Sequence, residues 1–525
     1  MRSLTVPAFR TLRVFVCHAS EDKAIVARLC QQLSAEGIDC WFDILSLVPG
    51  ADWEKEIEKA IRRSDAVLVC LSPHVRGKRT FLKDELRLVV AAAEAQSRPS
   101  SFLFPILLEP CDLPKTLRKW QAVDLSNGQP PSALLAALRG LAGNLTGVAI
   151  PGDTLAERDW EPPRVRGKLR DIVQSTRHYE KWLRKLTPVV EKDFQIKHRA
   201  MSASPLAFLR ATFYRWTEVW PRECPDLAEA PMTLGAGEVN VESFSTWLDP
   251  EGRIAWGLTA FDEAYPLPYA SDLVRLAASL FVSADNLPPK TDLNRVCRMM
   301  SKAYSEALIR GGSPYILGVR HRWLRLLVRT RVKDPQRYWE RFMALPKAAS
   351  VPSEVREALE RSLPLDAPFK IVTRVAGVGS LGRPKYVGIA DWMGGPLASE
   401  ARYVPVPAGA WAAGHESNVR TYHNTVLETA RHPPNLRSGV WKGLYLSRIG
   451  PDIARVDPMA VLRKKDLTRL MRACVTEVAN VHLGTPGAAP KIVEHLKGLP
   501  KSWLENAARS MVKRNWADFK AWKDV

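Results

Sequence analysis

The first part of the chain alternates short apolar runs with stretches of helical spacing. The runs are continuous and rich in β-branched and aromatic residues, which is typical of buried strands. They read VFVC (14–17), IDCWF (38–42), AVLVCLS (66–72), SFLFPILLEP (101–110) and QAVDLS (121–126). Between them, segments such as AIVARLCQQLSAEG (24–37) have the apolar spacing of an amphipathic helix. The pattern predicts an α/β unit whose parallel five-stranded sheet is covered by helices on both faces.

Polar residues stand where the first three predicted strands end. His18, Ala19 and Ser20 follow the first run, Asp43 follows the second and Ser72 closes the third. Ligands of a parallel sheet bind beyond the carboxyl ends of its strands. We therefore expect a binding site at this edge of the sheet.

A later segment, TFLKDELRLVV (80–90), pairs an aromatic residue with an acid. Phe81 and Glu85 are four residues apart, so they share one face of the predicted helix. The apolar stripe beside them consists of Leu82, Leu86, Val89 and Val90. Taken alone, the pattern fits a solvated carboxylate next to a core phenylalanine better than it fits a functional acid.

Together these motifs resemble a bacterial Toll/interleukin-1 receptor (TIR) domain, which has a flavodoxin-like fold. The resemblance is carried by RVFVCHASEDK (13–23), GIDCWFD (37–43), SDAVLVCLS (64–72) and the segment of Phe81 and Glu85. It implies that Glu85 is the catalytic carboxylate of an NAD+ hydrolase (NADase). That carboxylate would stabilise the positive charge that develops as the nicotinamide–ribose bond breaks, or hold the ribose hydroxyls. NAD+ is then the substrate, and no cofactor is required.

The same resemblance implies a substrate site and an oligomer. The substrate-binding residues it implies are His18, Ala19, Ser20, Asp43, Ser46 and Phe81. The loop from Ile44 to Trp53, with its Pro49-Gly50 turn, resembles the BB loop of the family. In enzymatic TIR domains this loop packs against a neighbouring copy and completes the active site. We therefore expect a homo-oligomer formed through TIR domains, with activity gated by assembly.

Composition fits a globular chain of more than one domain. At roughly 150 residues per domain, 525 residues suffice for two to four. The eight cysteines are scattered, with no Cys/His cluster at metal spacing, so we expect reduced thiols and no metal site. No apolar run approaches the roughly 18 residues of a membrane span. We expect a cytoplasmic protein without a membrane anchor.

Positive charge is concentrated in the later part of the chain. Residues 1–147 hold 19 Lys+Arg and 16 Asp+Glu, so +17 of the net charge of +20 belongs to the remainder. This charge is either a solvated surface or a binding surface for a polyanion such as nucleic acid or a phosphorylated ligand. We divide the chain into a TIR domain (1–147), a basic linker with a helix (148–195) and a larger domain (196–525).

Four ordered motifs of the larger region resemble an uncharacterised bacterial family related to protein kinases and aminoglycoside phosphotransferases. They are KHRAMSASPLAFLRATFYRW (197–216), GEVNVESFSTW (237–247), TAFDEAYPLPYASDLVRLAASL (259–280) and AGVGSLGRPKY (376–386). The resemblance covers about residues 196–485, and it implies an α+β, protein-kinase-like fold.

The kinase-like motifs are degenerate. In the family pattern G-D-x-H-x-x-N-F-G, Glu238, Asn240 and Ser243 replace the acid, the histidine and the metal-binding asparagine. In the pattern N-D-F-D-E, Ala260 replaces the acid expected to hold magnesium, and Asp262 and Glu263 remain as candidate ligands. Phosphoryl transfer depends on metal-bridged phosphates and a positioned base. We therefore interpret this domain as a pseudokinase-like sensor or scaffold.

Two further features suit anions. The segment Gly377–Gly382 keeps its glycines, so its backbone can approach a phosphate closely, although a plain turn is the alternative. The candidate phosphate- or nucleotide-binding residues are Gly377, Gly379, Ser380 and Gly382. Arg322, Arg325 and Arg329 recur at helical spacing, as either a polyanion-binding stripe or the solvated face of an amphipathic helix. His482 fits a core or helix-end histidine.

Three functions compete. The first is an NADase effector of anti-phage defence. It would assemble when a trigger such as nucleic acid, a phage protein or a nucleotide-like molecule binds the basic C-terminal domain. The second is a non-enzymatic TIR scaffold or adaptor, and the third is a phosphotransferase regulated by a TIR domain. The degenerate metal positions count against the third, and Glu85 one turn after Phe81 favours the first.

Overall fold

The computed structural model describes residues 12–35, 38–41, 61, 64–76, 86–87, 89–91, 102–126, 134–135, 137–138, 160, 168–249, 251–318, 321–329, 334–364, 367–404, 406–415, 421–435, 438–454, 461 and 463–524. The chain forms two compact units, residues 1–151 and 152–525. Each unit has its own hydrophobic core.

The first unit is built around a parallel sheet. Its elements are β1 (Leu12–Cys17), α1 (Lys23–Ala35), β2 (Ile38–Trp41), β3 (Ala66–Leu71), β4 (Leu103–Leu107) and the two-residue β5 (Val123–Asp124). The strand order is β2-β1-β3-β4-β5, and every pairing is parallel. The predicted α/β unit with a parallel sheet is confirmed. The chain order reverses at β1 and β3, and open parallel sheets bind ligands at such a switch point.

Alternation along β1 sends its side chains to both faces of the sheet. On one face, Val14 packs in a buried layer that includes Val26 of α1. On the other face, Phe15 packs in a second buried layer that includes Val89. Because both faces are covered, the strands consist of continuous apolar runs rather than alternating apolar and polar residues.

The second unit combines helices with antiparallel sheets. Its helices are α2 (Ile172–Leu186), α3 (Glu191–Met201), α4 (Pro205–Ala211), α5 (Phe213–Glu223), α6 (Pro225–Ala228), α7 (Tyr269–Phe281), α8 (Leu293–Ile309), α9 (Arg322–Arg329), α10 (Pro335–Met343), α11 (Ser353–Ser362), α12 (Ala408–Ala412), α13 (His423–Thr429), α14 (Lys464–His482), α15 (Ala488–Gly498) and α16 (Trp503–Lys523). Within the described ranges of both units, no helix is both long and apolar enough to cross a membrane.

Three sheets accompany these helices. Their strands are β6 (Met232–Gly235), β7 (Phe244–Leu248), β8 (Ile254–Leu258), β9 (Tyr265–Pro268), β10 (Tyr315–Ile316), β11 (Phe369–Thr373), β12 (Lys385–Trp392), β13 (Gly395–Tyr403), β14 (Ser438–Trp441) and β15 (Leu444–Ile449). The largest sheet has the antiparallel order β11-β12-β13-β15-β14. The smaller sheets are β10-β8-β7 and β6-β9. Residues 374–384, which include the glycine segment, form the turn between β11 and β12.

The segment interpreted as a basic linker belongs, from residue 168 onward, to the second unit. In α2, Tyr179 and Trp182 are buried in the main core, whereas Lys181 and Arg184 are exposed. Asp171 caps the helix by accepting a hydrogen bond from the backbone of Gln174 (2.7 Å). The segment contains the predicted helix, and the charges of its exposed face dominate the composition of what is an amphipathic core helix.

Helix α7 runs through the middle of this core. Every residue from Tyr269 to Leu280 is buried. Polar side chains on such a helix need partners. Arg275 donates a hydrogen bond to the carbonyl oxygen of Leu209 (2.7 Å), and its guanidinium lies over the rings of Phe213 and Trp216. Helix α7 therefore holds in place the elements that carry the site described below.

Because β8 lies close to α14, a larger residue at the contact should lower the stability of the protein. A Cβ on Gly257 would lie 2.2 Å from Oε1 of Glu477, a fully buried carboxylate. We expect Gly257→Ala to lower the free energy of unfolding by about 1–3 kcal/mol, as over-packing of a core does. Gly498→Ala, at a position with no atom within 4 Å, is the matched control. Urea unfolding followed by tryptophan fluorescence measures both, and equal stability of the two variants would contradict the packing.

Candidate functional site

The carboxyl ends of β1 and β3 are tied together in the first unit. His18 and Ala19 follow β1 directly, and Ser20 begins a short 3-10 turn that leads into α1. Asp22 of that turn accepts a hydrogen bond from the hydroxyl of Ser72, the residue after β3 (2.7 Å). Both side chains are buried. This bond fixes the two strand-end loops across the switch point of the sheet.

Asp22 is the residue at this edge that sequence reasoning missed. Asp22 could have been identified from the sequence as an acid in a polar turn that directly follows a buried strand. The remaining predicted residues of the site, Asp43, Ser46, Phe81 and Glu85, lie outside the described residues, as does the loop from Ile44 to Trp53. Their roles stay predictions.

The second unit contains a cavity of about 550 Å³ that gathers residues distant in sequence. Its lining includes Glu238, Asn240, Ser243, Ala260 and Asp262 from the degenerate motifs, and Gly377, Gly379 and Ser380 from the glycine segment. Gly382 is not part of the lining and packs against Phe194, since a Cβ on it would meet that ring at 2.4 Å. Seven of the predicted candidates, which are all of these lining residues except Ala260, therefore share one cleft. Gly382 has a packing role instead.

A buried acid holds the loop that follows β6. Asp272 of α7 accepts hydrogen bonds from the backbone N–H groups of Ala236 (2.8 Å) and Gly237 (3.0 Å). His482 is fully buried at the end of α14, 3.2 Å from the same carboxylate, and has the core and helix-end position expected for it. Gly237 has a φ of +80°, and a Cβ there would lie 2.3 Å from the carbonyl oxygen of Glu263. Only glycine fits this turn.

Asn240 and Ser243 bond to the backbone of their own loop. The Asn240 side chain donates to the carbonyl oxygen of Glu238 (3.2 Å) and accepts from the N–H of Glu242 (2.9 Å). The Ser243 hydroxyl donates to the same carbonyl (3.0 Å) and accepts from the N–H of Asn240 (3.0 Å). Both side chains are buried. Asn240 and Ser243 therefore stabilise the turn.

Asp262 is engaged by cations of the protein itself. Its carboxylate forms an ion pair with Arg402 of β13, and a guanidinium nitrogen of Arg383 lies 3.9 Å away. Burial alone would raise the pKa of Asp262, but its cationic neighbours, Arg402 foremost, hold that pKa well below its usual range. Asp262 therefore stays ionised, and its charge is balanced within the fold.

The next residue, Glu263, is bonded just as closely. Its carboxylate accepts hydrogen bonds from Arg383 (3.0 Å) and from the backbone N–H of Ala408 (2.6 Å). Burial raises the pKa of Glu263, against the influence of that guanidinium. Two adjacent acids and two arginines thus form a buried group that joins the loop after β8 to β13 and to the glycine turn.

Glu238 borders the cavity at the glycine turn. A Cβ on Gly379 would lie 2.3 Å from its Oε1, so a larger residue would clash with the carboxylate. Burial raises the pKa of Glu238 to about 7, although the nearby Arg275 opposes the shift. Near neutral pH the carboxyl is therefore present in both protonation states.

Lys385 is the cleft residue that sequence reasoning missed. It is the first residue of β12, and its ammonium donates hydrogen bonds to the hydroxyl of Ser380 (2.6 Å) and to the carbonyl oxygen of Ala376. Burial lowers the pKa of Lys385 to about 8. The available signal was a lysine directly after the glycine turn, inside the motif AGVGSLGRPKY.

Arg322 and Arg325 of the arginine stripe do not line the cavity. Arg322 and Arg325 are exposed on α9, whereas Leu324 and Val328 are buried in the core. Helix α9 is thus amphipathic, and the side chain of Arg329 lies outside the described residues. Binding of a polyanion by this stripe stays a prediction.

The cleft does not fit the magnesium ion that a kinase-like fold implies. Ala260 offers no ligand atom, Ser243 bonds to its own loop and Asp262 is paired with Arg402. In the part of the chain that the structure describes, no group of three or more His, Cys, Asp or Glu side chains could hold a metal ion.

Comparison with known proteins agrees with the sheet of the first unit. Residues 14–139 match the family described as TIR domain. The first unit is a TIR domain. A stretch of 62 residues, 12% of this chain, is 40% identical to NAD(+) hydrolase PdTIR of Paracoccus denitrificans and covers 21% of that protein. The TIR domain of the Toll-related receptor TRR-2 from Hydra magnipapillata is 24% identical, with 24% of this chain and 97% of that chain covered at a TM-score of 0.21.

The second family match lies beyond the TIR domain. Residues 189–323 match the family described as an uncharacterized protein conserved in bacteria (DUF2252). The uncharacterized protein y4cD of Sinorhizobium fredii is 27% identical over 172 residues, 33% of this chain and 26% of that protein. The chain spans about a quarter of the length of these curated relatives. The family description is not specifically kinase-like, so that resemblance stays a proposal.

The raised pKa of Glu238 predicts a pH-dependent stability difference. In the unfolded chain the pKa of a glutamate is near 4.3. Because the pKa of Glu238 is about 7 in the folded state, the free energy of unfolding falls as pH rises between these two values. Glu238→Gln removes the ionised form and should stabilise the protein at pH 8, on the order of 1–3 kcal/mol, with no gain near pH 4. Urea unfolding at both pH values measures this. Glu494→Gln, at an exposed ion pair, is the control, and a Glu238→Gln effect independent of pH would contradict the shift.

Proposed function

We propose that the chain is an NAD+ hydrolase whose TIR domain cleaves the nicotinamide–ribose bond. The proposal is carried by the 40% identity of a 62-residue stretch to a protein named as an NAD(+) hydrolase, within a chain that matches the TIR family over residues 14–139. The bond between Asp22 and Ser72 supports it, because it fixes strand-end loops where a parallel sheet receives a ligand.

Glu85 supplies the catalytic charge in this proposal. As the bond to nicotinamide lengthens, the ribose gains oxocarbenium character. A fixed carboxylate stabilises that charge or holds the ribose hydroxyls. Phe81 supports the flat nicotinamide ring. The remaining substrate contacts come from His18, Ala19, Ser20, Asp43 and Ser46. The proposed reaction requires no cofactor.

Assembly switches the proposed activity on. The loop from Ile44 to Trp53, which includes Ser46, packs against a neighbouring copy and completes the site. The second unit promotes that assembly when it binds a trigger, such as nucleic acid, a phage protein or a nucleotide-like molecule. Loss of NAD+ stops growth, which suits a cytoplasmic role in defence against phage.

The second unit acts as the sensor and does not transfer phosphate. The observation that favours sensing over a phosphotransferase is the ion pair between Asp262 and Arg402. Phosphoryl transfer requires cations that bridge the phosphates to protein carboxylates, and the carboxylate here already has a protein partner. A TIR domain without NADase activity would instead make the chain a scaffold.

Replacing Glu85 tests the catalytic role. Glu85→Gln keeps the size of the side chain and removes its charge, so release of nicotinamide from NAD+ should fall by about 100-fold or more. Circular dichroism checks that the variant folds, and Glu94→Gln, in the same part of the sequence, is the matched control. Undiminished turnover in folded Glu85→Gln would remove Glu85 from the mechanism.

Activity should depend on self-association. Dilution should lower nicotinamide release per molecule. Asp52→Lys, in the loop from Ile44 to Trp53, should weaken assembly and activity together, because charge reversal disturbs the interface. Asp124→Lys, at an exposed position of β5, is the control. Sedimentation velocity alongside the activity assay measures both quantities, and a monomer with full specific activity would refute the idea.

A further inference from the structure

The glycine turn of the cleft has unused hydrogen-bond donors. The backbone N–H groups of Gly377, Val378 and Gly379 donate no hydrogen bond to any described residue, and all three residues line the cavity. Gly377 has a φ of +77°, which bends the chain at this point. Successive N–H groups at such a turn form a concave site for an anion.

Lys385 adds a positive charge beside these groups. Other cations of the cavity wall are paired with acids, as Arg210 is with Glu242 (2.6 Å) and Arg374 is with Glu400 (2.9 Å). Among the described residues, Lys385 has no carboxylate within ion-pair distance, and its ammonium is bonded to the glycine turn itself. Its charge is therefore available to a ligand that reaches the turn.

Arg402 stands where a metal ion would be expected. Its guanidinium lines the same cavity, is paired with Asp262 and lies over the ring of Tyr445. The Oδ1 atom of Asp262 and the Nε atom of Arg402 are buried and have no hydrogen-bond partner among the described residues. A metal ion at Asp262 would have to displace this guanidinium, at the cost of leaving a buried charge unpaired.

We propose that the cleft binds a small phosphate-bearing ligand without a divalent cation. The turn of Gly377 to Gly379 and Lys385 hold the phosphate, and Arg402, held in place by Asp262, adds hydrogen-bond donors from a guanidinium whose Nε atom has no partner among the described residues. This deepens the sensing role proposed for the second unit, but it does not depend on NAD+ cleavage. The ligand is a nucleotide or a simpler polyphosphate, and two probes separate these sources.

Isothermal titration of the full chain with ADP and with pyrophosphate, each in EDTA and in excess magnesium, tests the proposal. We expect binding of at least one probe in EDTA, with a dissociation constant that magnesium changes by less than about threefold. Binding of ADP alone identifies a nucleotide site, and equal binding of pyrophosphate identifies a polyphosphate site. Binding that requires magnesium, or no binding of either probe, would overturn the proposal.

Variants locate the site. Lys385→Met should weaken binding at least about tenfold, as loss of a charge-assisted hydrogen bond does, whereas Lys497→Met, at an exposed position, should not.

Arg402→Lys keeps the charge and should retain metal-free binding. Arg402→Ala should lose it and recover part of it in magnesium, because Asp262 is released. If Arg402→Ala does not fold, the double variant Arg402→Ala/Asp262→Ala should fold and fail to bind in both buffers. Unchanged binding in folded Lys385→Met would overturn the proposal.

Catalysis gives an independent check. Magnesium-dependent ATP turnover that persists in Glu85→Gln and disappears in Asp262→Ala would show a working metal site and overturn the proposal. Absence of that turnover, with ADP bound in EDTA, supports it. A chain that binds ADP in this way but does not cleave NAD+ would leave this inference standing and refute only the proposed hydrolase.

Discussion

The buried ion pair between Arg402 and Asp262 is the interaction on which the cleft of the second unit depends. It joins the loop after β8 to the five-stranded sheet across 140 residues of sequence. The adjacent pair of Arg383 and Glu263 joins the same loop to the glycine turn. A buried ion pair gives little net stability, but removing one partner leaves an uncompensated charge. The two pairs therefore fix the relative positions of the cleft walls and also determine which charges a ligand meets.

The same group explains why the cleft suits binding of a phosphate rather than its transfer. The fold brings together the glycine turn, the basic side chain of Lys385 and the facing loop. A phosphate site requires such an arrangement. The carboxylate that would carry a metal is paired with an arginine, and the residues that replace the other motif positions bond to their own backbone. The residues at these positions are thus part of the packing.

The features that could be predicted from the sequence are those that depend on residues close together along the chain. The strands of the TIR domain were visible because both faces of a parallel sheet are buried, which makes each strand a continuous apolar run. The glycine turn and Glu238 could be identified from motifs of a few residues. Arg402 could not, because its role arises only when β13 meets a loop 140 residues earlier in the chain. In α2 the charged residues Lys181 and Arg184 were apparent from the sequence, whereas the packing of Tyr179 and Trp182 in the core depends on residues far along the chain.

The most direct test of the central claim, that this cleft binds phosphate without a metal ion, is anomalous diffraction from crystals of the full chain grown with ADP and manganese chloride. The account predicts phosphate density on the turn from Gly377 to Gly379, Arg402 still paired with Asp262, and no anomalous peak at that carboxylate. A manganese ion bound by Asp262, with the guanidinium of Arg402 displaced, would contradict it.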